Sequence, residues 1–290
     1  MKVTRYSSIT AFYEDAETFL LSQEDRAAIM LGNTIRFKDK EWKEEEPFLA
    51  TVKENGKIML AAMLVPPYAM LLLEKEEAEG IAAVPYLIDY LIKEDYAIHK
   101  IVSPKMVGKA FSEQWTKKNS LEEKVLMDLR LYTLKSVIQP AASNGKLRQA
   151  TADDLVFLTD WVKDMTAVTS QILTRTEAEE LAKARIENGS LFIWEEGGRA
   201  VSMAAKARPN IRGVSVNLVY TPKEWRGKGY ASALVAALSD RLLKEGYEFC
   251  TLYTDLANPT SNKIYQNIGY VPVCDYIELK FNQNGTEKPA

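Results

Sequence analysis

The sequence predicts an α/β protein built as two domains of related fold. Three observations carry this. Residues 214–270 read as strand, glycine-rich turn, amphipathic helix, second strand and short helix. A hairpin pattern occurs twice, at Leu49–Met63 and Leu191–Ala205, with the same length and an acidic, glycine-containing turn in each. Between the copies lies Gln139-Pro140-Ala141-Ala142-Ser143-Asn144-Gly145, which has the composition of a domain linker. The expected domains are therefore 1–138 and 146–290, joined by 139–145. At 290 residues, two ordinary cores are preferred over one large one.

In chain order, residues 12–31 carry apolar side chains at helical spacing: Phe12, Ala16, Phe19, Leu20, Ala27 and Met30. Strands at 48–52 and 58–63 flank Lys53-Glu54-Asn55-Gly56-Lys57, where Asn-Gly is a hairpin turn signal. A third strand follows at 68–73. A helical pattern over 77–93 contains Pro85, which is expected to kink or divide it. A short strand at 98–102, a helix at 105–119 and an alternating strand at 128–136 complete the first domain. After the linker the order begins again. A strand at 146–150 leads to a helix capped by Thr151, a helix at 177–188 stopped by Gly189, and then the second hairpin.

The last of these passages is the best defined. The strand Val214–Tyr220 is ended by Pro222. Along the helix at 229–245, Ala231, Leu234, Val235, Leu238 and Leu242 share one face, and Gly246 is the stop. The strand at 247–254 is apolar nearly throughout, which suits a central position. Asn258 and Pro259 read as N-cap and first residue of a short helix ending near Ile268, with Gly269 after it.

Composition narrows the function classes. The 47% apolar and 27% charged content is that of a folded soluble protein. With 37 basic and 40 acidic residues the net charge is −3, and no nucleic-acid partner is expected. No apolar run is long enough for a membrane span, and the two cysteines, Cys250 and Cys274, lack metal-ligand spacing, so neither a membrane nor a metal is expected. Free thiols and the absence of a signal-type run in the N-terminal residues point to the cytoplasm.

The chemistry concentrates at Arg226-Gly227-Lys228-Gly229-Tyr230-Ala231. A turn between a strand's C-terminal end and a helix N-terminus presents unpaired backbone N–H groups to an anion. Two glycines permit close approach, and Arg226 and Lys228 add positive charge. The pattern is not a P-loop, because no hydroxyl follows the lysine at the right spacing. Nor is it a dinucleotide fingerprint, because Ser232 stands where the third glycine belongs. The bland alternative is a turn that only joins strand to helix.

These residues resemble a family. Arg226–Ala231 matches the Q/R-x-x-G-x-G/A motif of the GNAT superfamily of acyl-CoA N-acyltransferases. Asn258, Tyr265, Gly269 and Tyr270 match its following N-x-x-A-x-x-x-Y-x-x-x-G-[FY] motif, with Ser261 in place of the alanine. One extra residue lies between Pro222 and Arg226 relative to the usual spacing. The N-terminal half resembles a degenerate copy, since its region after Leu73 has no glycine turn. The resemblance implies two tandem domains, each a mixed, mostly antiparallel sheet flanked by helices, with splayed central strands in the C-terminal one. It implies acetyl-CoA as co-substrate and no metal. Leu218, Val219 and Tyr220 would bond the pantetheine arm through their backbone. Arg226, Gly227, Lys228, Gly229, Tyr230 and Ala231 would hold the pyrophosphate, and Asn258, Ser261 and Asn262 would contact the arm from the next helix. Tyr265 would be the general acid on the departing thiolate.

The reading is then an N-acetyltransferase acting on an amine of a small molecule or peptide by direct attack, as a monomer or homodimer. The alternative is a non-catalytic acyl-CoA-binding regulatory module, which would need the turn but not Tyr265. Among Glu195, Glu224 and Asp255 no general base is singled out. His99, the only histidine, lies in the other half.

Overall fold

A computed structural model describes residues 1–42, 46–139 and 144–283, so Pro140–Ser143 of the expected linker lie outside the described residues. In chain order the elements begin β1 (Lys2–Arg5), α1 (Ile9–Leu21), α2 (Ala28–Phe37), β2 (Phe48–Glu54), β3 (Lys57–Leu64) and β4 (Met70–Glu74). They continue α3 (Glu77–Lys93), β5 (Lys100–Pro104), α4 (Lys105–Asn119), β6 (Leu121–Leu134) and β7 (Lys146–Gln149). Then come α5 (Leu155–Thr166), α6 (Arg175–Glu187), β8 (Leu191–Glu196), β9 (Arg199–Ala207) and β10 (Gly213–Tyr220). The last are α7 (Tyr230–Lys244), β11 (Phe249–Asp255), α8 (Pro259–Ile268) and β12 (Val271–Gln283).

Two compact units result, one of Met1–Arg130 with Cys274–Ala290, the other of Leu131–Val273. This division differs from 1–138 and 146–290 at both ends. The chain's last strand belongs to the first unit, where Tyr276–Lys280 pair antiparallel with Lys100–Pro104 of β5. The end of β6, expected in the first domain, belongs to the second. Both segments alternate as half-buried strands do, and alternation does not say which neighbour a strand will pair with.

In the first unit the strand order is β1-β2-β3-β4-β5-β12-β6. Neighbours from β1 to β12 are antiparallel except β4 and β5, which run parallel. Its cores lie on the two sheet faces. One packs α3 and α4 through Val84, Leu87, Phe111 and Trp115, and the other packs α1 and α2 through Phe12, Leu20 and Leu31. The single helix expected over 12–31 is thus two. Their apolar spacing reads as continuous because both helices bury a face in the same core. Conversely, α3 is not divided at Pro85. Ala83, Val84, Leu87, Ile88 and Leu91 are buried along it, and this packing outweighs the roughly 3 kcal/mol that an interior proline costs.

The second unit repeats the plan with order β7-β8-β9-β10-β11-β6. Neighbours from β7 to β10 are antiparallel, and β10 and β11 are parallel. One face packs α7 and α8 through Leu234, Leu238, Leu252, Tyr265 and Ile268. The other packs α5 and α6 through Leu158, Val162, Ala178 and Ala182. Thr151 and Asp154 form a capping box at the start of the α5 segment, and Arg148 ion-pairs with Asp154 at 2.7 Å and Glu195 at 2.6 Å, tying β7 to β8 and to that helix.

Candidate active site

Everything in this site lies within the second unit. β10 pairs with β9 through Asn217↔Ala205 and again through Tyr220↔Met203, so Leu218 and Val219 face the single residue Ala204. This is a β-bulge, which takes two residues out of the ladder and bends the strand. Leu218 has φ +50°, a left-handed conformation rare for a branched side chain. The bulge also splits the strand's side chains between faces. Leu218 and Tyr220 join the α5/α6 core, whereas Val219 packs against the core holding Tyr230 and Tyr265.

The parallel pairing of β10 with β11 ends at Ser215↔Thr251, although β10 continues to Tyr220 and β11 to Asp255. The two central strands therefore part beyond that pair, and the bulge lies on the parted stretch. Tyr220 returns to the ladder, and its carbonyl accepts from Ser202 Oγ at 2.9 Å. Its hydroxyl donates to Asp164 of α5 at 3.1 Å.

After Pro222 a short 3-10 turn, Lys223–Trp225, takes up the residues before the motif. Arg226 is extended, and its Nε donates to the Thr221 carbonyl at 2.9 Å. Gly227 and Gly229 have φ +78° and +81°. A Cβ at either would meet nothing within 4 Å, so they are glycines for their backbone conformation and the space above them is open. Gly229 is the N-cap of α7 and no side chain caps that helix, which leaves its first N–H groups for a ligand.

Lys228 Nζ sits 4.6 Å from the Trp225 ring centroid and Arg226 Cζ 5.9 Å from that of Tyr220. Among the described residues, neither cation is ion-paired with a carboxylate. Tyr230, in contrast, is committed to the fold. It is buried, and its hydroxyl donates to Glu196, which raises its pKa. Ala231 follows it in the first turn of α7.

At α8, Asn258 caps the helix by accepting from the Ser261 N–H at 3.0 Å. Asn262 braces the same corner: its Nδ2 donates to the carbonyls of Asp255 at 2.9 Å and Asn258 at 2.8 Å, and its Oδ1 accepts from Tyr132 at 2.9 Å. The Tyr265 ring is 7% exposed and sits 6.4 Å from Tyr132 and 6.0 Å from Tyr270. Its hydroxyl makes no hydrogen bond to any described residue. The ring is thus anchored among aromatic neighbours, and burial pushes the hydroxyl's pKa up to about 12.

Tyr132 was not singled out from the sequence. Its only local signal is the alternation of 128–136, which placed it in the other domain. Glu195, one of three carboxylates weighed as a base, is held below the usual carboxylate range by hydrogen bonds from Arg148 and Lys146. Both cysteines are free, and burial pushes the Cys250 thiol up to about 12, far from a reactive thiolate. Among the described residues no helix is long and apolar enough to cross a membrane.

The acetyltransferase (GNAT) family matches residues 155–270, from the start of α5 to the start of β12. No curated protein matches the chain. Among solved structures, an acetyltransferase from the GNAT family of Colwellia psychrerythraea is 11% identical, with a TM-score of 0.60, covering 97% of this chain and 100% of its own. A GCN5-related N-acetyltransferase from Sphaerobacter thermophilus is 12% identical, with a TM-score of 0.65 and coverage of 97% and 95%. A tandem GNAT protein from the clavulanic acid biosynthesis pathway is 11% identical, with a TM-score of 0.53 and coverage of 99% of both chains. At such identities the likeness is one of fold. Residues 155–270 thus match the acetyltransferase (GNAT) family, and over its length the chain shares its fold with structures that include a tandem GNAT protein.

Proposed function

We propose that the second unit is an N-acetyltransferase that moves an acetyl group from acetyl-CoA to an amine of a small molecule or peptide by direct attack. The observation that best supports this is the continuity of three features along one strand–turn–helix: the β10 bulge, the open glycine turn and the uncapped start of α7. A thioester with an amide-bearing arm and a pyrophosphate matches that series in order. The amides of Gly227–Ala231 would hold the pyrophosphate, with Arg226 and Lys228 adding charge. Leu218 and Val219, released from the ladder with β9, would bond the arm. Tyr220 would contribute less through its backbone, because its carbonyl already accepts from Ser202. Asn258 and Ser261 would flank the arm at the start of α8, and Asn262 would hold that corner in place.

In the reaction the acceptor nitrogen forms a bond to the carbonyl carbon as the carbon–sulfur bond breaks. A backbone N–H near Val219 would stabilise the oxyanion. The sulfur takes a proton from Tyr265, whose pKa of about 12 keeps its oxygen protonated through the neutral range, and the proton that the acceptor nitrogen sheds as the amide forms balances the one Tyr265 gives up. The acceptor ammonium, with a pKa of about 10.4, must first lose a proton. Glu195 does not take it, because its ion pairs disfavour protonation.

The test is a screen of amines with acetyl-CoA, monitored by release of free thiol. Release that depends on an amine is the expected result. Tight acetyl-CoA binding with no amine-dependent release would replace the proposal with a regulatory binding module.

A further inference from the structure

A row of polar side chains runs along the second unit's central strands on the face away from α7 and α8. Ser215 and Thr251 are register partners, and their hydroxyls meet at 2.9 Å. Side chains alternate along a strand, so Asn217 and Tyr253, two residues further on, project on the same side. Arg208 comes to this place from the end of β9, where Ala207 pairs with Ser215. Its backbone turns there through φ +44°.

The Tyr253 phenol, neutral at pH 7, is near the Arg208 guanidinium, and burial works against the charge of that guanidinium. Its Nε is sealed from solvent without an acceptor. Asn217 Oδ1 is sealed and unpaired in the same way. Asn210, in the turn between β9 and β10, is 9% exposed, and both of its side-chain polar atoms are sealed without partners. Buried polar groups are ordinarily hydrogen-bonded, and a buried guanidinium is ordinarily paired with an anion. By backbone position Arg208 and Asn210 lie toward the Gly213 end of β10 and Asn217 beside its bulge, and unpaired polar groups along this strand are costly to the fold and suited to a ligand.

We propose that Arg208, with Tyr253 near it and Asn217 further along β10 toward the bulge, is an acceptor subsite that selects an amine also carrying a carboxylate. The guanidinium fork matches a carboxylate through two parallel hydrogen bonds. Asn217 directly precedes the bulge, so an acceptor that extends from Arg208 along β10 past Asn217 reaches the parted strands. The amine end of this assignment rests on the acetyl-transfer reading above, and the carboxylate end rests on the cluster alone.

The experiment is calorimetry on the full chain saturated with coenzyme A, which needs no turnover. Its probes are amino acids of increasing length, from glycine, β-alanine and 4-aminobutyrate to the standard α-amino acids, each paired with its decarboxylated amine. Phosphoethanolamine is a further arm. At least one amino acid should bind 10²-fold or more tightly than its amine. Arg208→Met should abolish that preference, and Arg208→Lys should keep part of it, with coenzyme A affinity unchanged in both. If Arg208→Met does not fold, Asn217→Ala should weaken the amino acid and leave its amine unaffected. Equal binding of each pair, a preference that survives Arg208→Met, stronger binding of phosphoethanolamine than of β-alanine, or no binding by any amino acid overturns the assignment. Selective binding without thiol release from acetyl-CoA would sink acetyl transfer and leave the carboxylate subsite standing; release without selectivity would do the reverse.

Discussion

The passages from β4 to α3 and from β10 to α7 occupy the same place in the two units, each following a strand that pairs parallel with the next. They treat the helix N-terminus in opposite ways. Before and within the first turn of α3 stand Glu76, Glu77 and Glu79, so the positive end of that helix is met by the chain's own carboxylates. At α7 the corresponding residues are Arg226, Gly227, Lys228 and Gly229, and the positive end is left open and reinforced. The glycines differ in the same sense. A Cβ on Gly80 would lie 2.5 Å from Glu74 Cβ, so Gly80 exists to close helix against strand, whereas Gly227 and Gly229 border open space. Glu74 itself is buried and ion-paired with Arg26 at the end of β4. One fold thus supplies a filled turn and an open one, and only the open one suits a pyrophosphate.

The comparison can be broken most decisively at Gly229. Gly229→Glu places at α7 the charge that α3 already carries, in a left-handed conformation that costs a non-glycine residue about 1–2 kcal/mol. Coenzyme A affinity measured by calorimetry should fall by at least about 10²-fold, and retained tight binding would mean that the anion site lies elsewhere. Next, Tyr265→Phe should lower turnover by about 10²–10⁴ while coenzyme A affinity changes little. Because Tyr265 acts protonated and its pKa is raised to about 12, its proton is lost only as pH rises through that value. The rate profile between pH 7 and 10 should therefore show no descending limb that Tyr265→Phe removes.

In the first unit the expected effect is on stability alone. Glu74→Gln leaves Arg26 without its buried partner and should cost about 3 kcal/mol in denaturant unfolding, with coenzyme A affinity unchanged. A change in that affinity would show that the filled turn is not silent. The smallest effect is expected from Lys228→Gln. Losing one exposed cation should weaken coenzyme A binding a few-fold at low salt and less at high salt, where screening already weakens it.

The open turn was legible because its unusual residues are adjacent and its chemistry is local to the backbone. The helix at 105–119 was legible for the same reason, with a proline before it and a clear periodicity. The bulge was not, since Val216-Asn217-Leu218-Val219-Tyr220 contains no glycine or proline to mark it. Its position follows from the pairing with β9. Tyr132 was hidden by distance: its hydroxyl meets Asn262 at a sequence separation of 130. Arg208 was invisible for another reason. A lone arginine after a strand normally faces water, and only the burial of its Nε sets it apart.

The pairing of β12 with β5 bears on how the chain acquires its shape during synthesis. Residues 274–283 supply Ile277, Leu279 and Phe281 to the core formed by α3 and α4, and Gly108 of α4 is so close to Ile277 that a Cβ there would lie 2.6 Å from its side chain. The half of the protein that leaves the ribosome first therefore waits for the half that leaves last. Until then β5 is an unpaired edge, open to strands of other nascent chains. A stop codon just after Val273 would spare residues 155–270 in sequence and still leave the edge of β5 exposed to aggregation.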